Sequence, residues 1–217
     1  MRGGRLWGVV QAPLSDKLLL LRHLRGVLRT QLLYRWMFRR FGIHSRIYRP
    51  LFISNADCIE IGDNVIIWEG VRLEALRDPF GRTPRLTIGS NTSIQQNVHI
   101  ACHNRVAIGE NVAITANVAI VDVTHPYEDP GAENVGMLMR DESSVVEIGD
   151  GAFIGYGAVI MPNVHIGKRA VIGANAVVIH DVPDYSVAAG VPARVIRRYS
   201  PDEQRWISTR GQQHVTP

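Results

Sequence analysis

From residue 61 onward a branched apolar residue returns at every sixth position: Ile61, Ile67 and Leu73, then Ile88, Ile94 and Ile100, then Ile108, Ile114 and Ile120. After a longer interval the series resumes as Ile148, Ile154, Ile160, Ile166, Ile172 and Val178, so that thirteen of fifteen positions are isoleucine. A period of six is incompatible with an amphipathic helix, whose apolar positions follow 3.6 residues per turn. It suits short strands separated by tight corners, each strand sending one residue into a narrow core. Glycine often follows the isoleucine, as at Gly62, Gly89, Gly109, Gly149, Gly155, Gly167 and Gly173. A small or β-branched residue sits four places on, as at Val65, Val98, Val112, Val118, Ala158, Val164 and Ala170. Turn-prone Asn64, Asn91, Asn111 and Asn163 fall between strands. Three strands complete one triangular coil, and stacked coils bury columns of isoleucine in a mainly β fold, a parallel β-helix.

The rest of the chain is differently built. Residues 1–49 hold eleven basic residues and one acid, a net charge of +10, whereas the remainder carries −6. Two parts therefore join near Pro50: a basic N-terminal segment, 1–50, and the β-helix, 51–198. The first reads as helical over 15–41, with Ser15 as cap, Gly42 as stop and Gly26 as a break between two shorter helices. Leu18, Leu21, Leu24, Leu28, Leu32 and Trp36 recur at three- and four-residue spacing with arginines between them. Such a helix either packs its apolar stripe on the protein or a sister subunit, or lies on an anionic membrane surface. No nucleic-acid module accompanies the arginines, so nucleic acid is not an expected partner. Solenoid ends need caps. The N-terminal helix covers one end, and "SPDEQRW", with Ser200 and Glu203 as a capping box around Pro201, predicts a short C-terminal helix and tail over 199–217. No apolar run reaches the ~18 residues of a spanning helix. Residues 1–10 lack a secretory apolar stretch. Only Cys58 and Cys102 are present, and no metal site is expected. A cytoplasmic setting follows as the expectation, with contact at the inner face of the cell membrane the further option that the basic helix leaves open.

The runs "IGDNV", "IGENVAITANVAI" and "IGDGAFIGYGAVIMPNVHIGKRAVIGANAVV" resemble the hexapeptide-repeat acyltransferases, specifically those acetylating sugar hydroxyls in galactosides, maltose and capsular or exopolysaccharides. That resemblance implies a left-handed superhelix, against the usual right-handed crossover, and a homotrimer with active sites between subunits. It also implies acetyl-CoA as co-substrate and a sugar or glycan hydroxyl as acceptor.

The interruptions of the repeat are where chemistry is expected. The steps Leu73 to Ile88, Ile100 to Ile108 and Ile120 to Ile148 are not multiples of six, so residues loop out of the coil there. The longest loop, 122–147, concentrates His125, Tyr127, Glu128, Asp129 and Glu133. "DVTHPYEDP" is similar to the family segment bearing the catalytic histidine, which assigns His125 as the base that deprotonates the acceptor hydroxyl. An imidazole of ordinary pKa ~6.5 is mostly neutral yet basic near pH 7. Asp122 or Glu133 is the expected partner of its other ring nitrogen.

"QQNVHIACHNR" matches the family's acceptor region, placing Gln95, Asn97 and His103 with Tyr127 at the acceptor. Gln95, Asn97 and His103 fall on or beside positions that are Asn or Asp in galactoside-type members, so the acceptor pocket departs from that pattern, and Asn97 reads equally as a corner of the coil. Cys102, with no pairing motif around it, reads as a packed thiol. "GYGAV", "IGANAVV" and "AAGVPARVIRRY" resemble the CoA groove, which carries over to Gly155, Tyr156, Ala174, Ile179, Arg194 and Arg197. The two arginines supply charge for phosphate. Phe153 stands where many relatives have Trp, and Tyr156 replaces a smaller residue. Competing readings on the same fold are a serine or nucleotide-sugar N-acetyltransferase, a non-catalytic scaffold, and a γ-type carbonic anhydrase drawing on His99, His103, His125 and His165.

Overall fold

The computed structural model describes residues 13–77, 81–128, 131, 134–139 and 143–209. Helix α1, Leu14–Arg29, continues through a π turn at Thr30–Tyr34 and a last turn at Arg35–Met37. Six coils follow. The first is β1 (Arg40–Phe41), β2 (Arg46–Ile47) and β3 (Phe52–Ser54), and the second β4 (Ile59–Ile61), β5 (Ile66–Ile67) and β6 (Arg72–Ala75). The third is β7 (Arg85–Ile88), β8 (Ser93–Ile94) and β9 (His99–Cys102), and the fourth β10 (Arg105–Ile108), β11 (Ala113–Ile114) and β12 (Ala119–Val121). The fifth is β13 (Val145–Ile148), β14 (Phe153–Ile154) and β15 (Val159–Ile160), and the sixth β16 (Val164–Ile166), β17 (Val171–Ile172) and β18 (Val177–Val178). β19 (Ser186–Gly190), β20 (Ala193–Ser200) and β21 (Arg205–Ser208) are the last of the described strands.

First, second and third strands of successive coils stack into three parallel sheets, the faces of a triangular prism. Register is set by the repeat. Ile47, Ile67, Ile94, Ile114, Ile154 and Ile172 are paired in one column. Phe41, Ile61, Ile88, Ile108, Ile148 and Ile166 form a second. Ile53, Leu73, Ile100, Ile120, Ile160 and Val178 form the third. Val65, Val98, Val112, Val118, Ala158, Val164 and Ala170, the small residues four places on, are buried at the corners and fill the space between columns. The corners themselves turn through left-handed backbone, with Asn64, Asn91, Asn97, Asn111, Asn117, Asn163 and Asn175 all at positive φ. Asparagine tolerates that region better than other residues with a Cβ, which explains its recurrence there.

Both ends differ from expectation. The β-helix begins at Arg40 rather than at residue 51, because Phe41, Ile47 and Ile53 already keep the six-residue interval. That coil is hard to read because His44 and Arg49, not asparagine or glycine, occupy its left-handed corners. At the other end residues 199–209 contain no helix. Ser200 Oγ does accept the Glu203 N–H at 3.3 Å, but the contact closes a turn between antiparallel β20 and β21. Arg205–Ser208 extends the second-strand sheet instead of starting a helix, and Tyr199 and Trp206 meet edge to face across the hairpin. The tail after residue 209 lies outside the described residues.

The N-terminal helix covers the open edge of that same sheet. Thr30, buried beside Ile47, places its hydroxyl against both the N–H (3.1 Å) and the carbonyl (3.2 Å) of Ile47, groups that an edge strand would otherwise leave unpaired. Gly26 does not break the helix; it lets the helix close onto Tyr48, since a Cβ there would lie 2.4 Å from the tyrosine ring. Nor does Ser15 cap it: Pro13 holds the N-cap position without a side-chain bond. Gly26→Ala is expected to push the helix off the first coil at a cost of roughly 1–3 kcal/mol, as overpacking does. Faster proteolysis within residues 14–37, with the β-helix itself intact, would register it.

Candidate active site

The three phase slips of the repeat all occur at one corner of the prism, where a third strand hands over to the first strand of the next coil. Loops 76–84, 103–104 and 122–144 therefore leave and rejoin the prism along one edge. The tie between the last two is Asp122. It is fully buried, and its carboxylate accepts the backbone N–H groups of His103, Asn104 (2.9 Å) and Arg105 (2.7 Å). Burial pushes the Asp122 carboxyl above its ordinary range, while those three donations pull it back. Ser144 Oγ donates to the Asp122 carbonyl, and Asn104 Nδ2 to the Ser144 carbonyl at 2.8 Å, so the long loop is pinned where it leaves the coil and where it returns.

His125 stands three residues beyond this anchor, partly exposed. Its Nδ1 is 2.6 Å from the carbonyl oxygen of Leu138, on the returning limb of the same loop. A carbonyl can only accept, so Nδ1 carries the proton and Nε2 is left as the basic nitrogen. Sequence reading missed this partner, and necessarily: a backbone carbonyl has no side-chain signature. The carboxylate of Asp122, one of the two acids expected to orient the ring, is occupied instead by the backbone of residues 103–105. The other, Glu133, lies outside the described residues, as does Asp129.

The remaining assigned residues separate into groups. His103 is buried against Asp122 on the same corner, and Tyr127 is 76% exposed on the long loop. Asn97 is a left-handed corner residue at a different edge, between second and third strands, and Gln95 lies just before it at the end of β8. Gly155, Tyr156 and Ala174 stack along that second edge. A Cβ at Gly155 would meet the Ile172 carbonyl at 2.6 Å, so glycine there lets adjacent coils approach. Tyr156 is exposed and accepts a 2.6 Å bond from Asn117 Nδ2, a contact that ties two coils together. Ile179 is exposed just past β18, and Phe153 is exposed on β14. Arg194 and Arg197 are exposed on β20 and have no acidic partner among the described residues. Cys102 is fully buried, and burial raises its thiol pKa well above the ordinary value, which keeps it protonated and inert. Among the described residues no three His, Cys, Asp or Glu side chains gather into a metal-binding group, and His99 is paired with Glu74 at 2.9 Å.

The bacterial transferase hexapeptide model, of six repeats, matches residues 146–180. Over 192 residues, 86% of this chain and 91% of the relative, the sequence is 35% identical to Escherichia coli K12 WbbJ, provisionally named as a lipopolysaccharide biosynthesis O-acetyl transferase. The chain belongs to the hexapeptide-repeat acyltransferases, sugar O-acetyltransferase type. Galactoside O-acetyltransferase of E. coli K12 is 36% identical over 85% of this chain and 75% of its own length. A solved structure of galactoside acetyltransferase in complex with coenzyme A superposes with a TM-score of 0.56 at 25% identity, over 92% of this chain and 79% of that one. This acyltransferase thus has the left-handed form of the β-helix. His125 is carried on the longest loop of the corner at which coils hand over.

Proposed function

We propose that the enzyme transfers an acetyl group from acetyl-CoA to a hydroxyl of a sugar or glycan precursor, with His125 as general base. The observation that carries this reading is the Nδ1–Leu138 carbonyl contact, which fixes the ring in the tautomer whose Nε2 can take a proton. Nε2 removes the hydroxyl proton as that oxygen attacks the thioester carbonyl. A C–O bond forms, the tetrahedral oxyanion is met by a backbone N–H, and the C–S bond breaks as the imidazolium returns its proton to the leaving thiolate. The exposed Arg194 and Arg197 supply charge for CoA phosphates, with Gly155, Tyr156, Ala174 and Ile179 along the pantetheine path. Asp122 acts by holding the start of the loop. Gln95, Asn97, His103 and Tyr127 are assigned to the acceptor side. Since Asn97 already serves as a coil corner, its part there is confined to whatever its side-chain amide reaches.

The enzyme is assigned as a homotrimer working in the cytoplasm, its sites completed by a neighbouring subunit. That assignment is supported by the placing of His125 and Tyr156 on different edges of the prism, the first between third and first strands and the second between second and third. No helix of the described residues is long and apolar enough to cross a membrane. Thiol release from acetyl-CoA, measured against free glycosides, nucleotide sugars and lipid-linked oligosaccharides, tests the reading. The expected product is an alkali-labile O-acetyl ester on one of these acceptors. Release only with amino sugars or serine, or with none of the acceptors, would overturn it.

A further inference from the structure

The N-terminal helix sits on the β-helix the opposite way round from an ordinary amphipathic helix. Its contacts with the first coils run through Gly26, Thr30, the His23–Tyr48 bond (2.7 Å) and the Arg22–Glu69 pair. The leucine stripe consequently faces outward: Leu14, Leu18, Leu21, Leu24, Leu28 and Leu32 are 43–71% exposed. The expectation that this stripe packs on the chain's own β-helix is therefore not met. Beside the stripe a cleft of about 400 Å³ opens between the helix and the coil corner at Arg49, bounded also by Leu18, Leu21 and Tyr48. Arg25 and Arg29 line it from the helix and Arg49 from the corner. None of the three has an acidic partner among the described residues, whereas the cleft's one carboxylate, Glu69, is already bound to Arg22.

Three free guanidinium groups around one opening match the oxygens of a phosphate, which Arg binds in a fork. A contiguous leucine face beside them matches hydrocarbon. A ligand carrying both is an anionic amphiphile, and no helix of the described residues is long and apolar enough to cross a bilayer of it. We propose that this cleft and stripe form a docking site for an anionic phospholipid surface, with a lipid phosphate seated among Arg25, Arg29 and Arg49 and the leucines entering the acyl boundary. Charge complementarity selects lipid over a helix-to-helix contact with a second copy, which would bring the same arginines to the contact from a segment with net charge +10. Trp36, 79% exposed at the far end of the helical segment, suits the interfacial zone. This inference does not rest on the acetyl-transfer reading.

The test is sedimentation of the full-length protein with phosphatidylcholine vesicles, with and without phosphatidylglycerol, at low and high salt. Binding is expected only with the anionic lipid and is expected to fall with salt. Arg25→Gln/Arg29→Gln/Arg49→Gln should weaken it about 100-fold. Removal of three charges elsewhere, in Lys168→Gln/Arg198→Gln/Arg205→Gln, should change it by no more than the screening of distant charge allows. Leu21→Ser/Leu28→Ser should also weaken binding, with the mass of the particle unchanged. Equal losses in the two triple charge-removal variants, or equal binding to neutral vesicles, would overturn the proposal. A changed mass in the leucine variant would reassign the stripe to a subunit interface. Inorganic pyrophosphate bound by the wild type but not by the Arg25/Arg29/Arg49 variant, without vesicle binding, would reassign the cleft to a soluble phosphate ligand. Acetyl transfer to a soluble acceptor, measured in parallel, is expected to be unchanged in the variants. Its failure in the wild type would count against the catalytic reading alone.

Discussion

Replacing His125 by alanine is expected to lower kcat for acetyl transfer by about 10²–10⁴-fold, the usual contribution of a positioned general base. The affinity for CoA and the thermal midpoint should hardly change, because the ring is partly exposed and its bond within the described residues is to the backbone of its own loop. His125→Gln separates base from shape. An amide side chain can still hydrogen-bond the Leu138 carbonyl or the acceptor hydroxyl, yet it cannot take a proton at neutral pH. Turnover of the glutamine variant should therefore match that of the alanine variant. Recovery to near wild-type turnover would show that the residue positions the acceptor and does no proton transfer. Single-turnover measurements at saturating acetyl-CoA are the appropriate readout, since they isolate the chemical step from product release.

The second large effect is on stability. Asp122→Ala removes the acceptor of three backbone N–H groups at a fully buried position. Each orphaned donor costs about 1–3 kcal/mol before water enters to relieve it. A net loss of roughly 3–5 kcal/mol follows, which for a chain of this size lowers Tm by roughly 6–20 °C. Asp122→Asn should fall between alanine and wild type. One oxygen can still serve Asn104 and Arg105, but its amide hydrogens would then face the His103 N–H. Turnover should fall in both variants with stability, because Asp122 holds the coil exit from which His125 projects. Thermal unfolding and kcat measured on the same samples check both. An alanine variant as stable as wild type would mean that the N–H groups of residues 103–105 find other acceptors.

The pattern of Ile61 to Val178 carried the fold with unusual completeness, because in a β-helix the side chain that fills the core and the residue that sets the register are the same. A column such as Ile94–Ile114–Ile154 is at once sequence period, strand pairing and core. The first coil is not legible in the sequence because its corners are His44 and Arg49, residues that carry no turn signal. The C-terminal hairpin looks like a helix in sequence because Ser200 and Glu203 make the same short-range contact in a turn as in a cap, and only the pairing of β21 with β20 decides between them. His125 was legible by its likeness to a known segment. Leu138 was not, since what it offers is a carbonyl oxygen present at every residue.

Short-range repetition thus determined the strands and the corner residues, because each of these needs only neighbours six positions away. The loop phase slips were equally plain in the sequence as interruptions of that count. What only the tertiary structure decided is what meets across long separations. It shows that all three interruptions leave and rejoin the prism on one edge, that the Asp122 carboxylate binds a neighbouring loop's backbone and leaves the His125 ring to the Leu138 carbonyl, and that the N-terminal helix turns its glycine and threonine inward and its leucines out. The helical period gave two faces without saying which would dock. That choice belongs to Tyr48 and the unpaired edge of Ile47, which a bare glycine and a hydroxyl can meet and a row of leucines cannot.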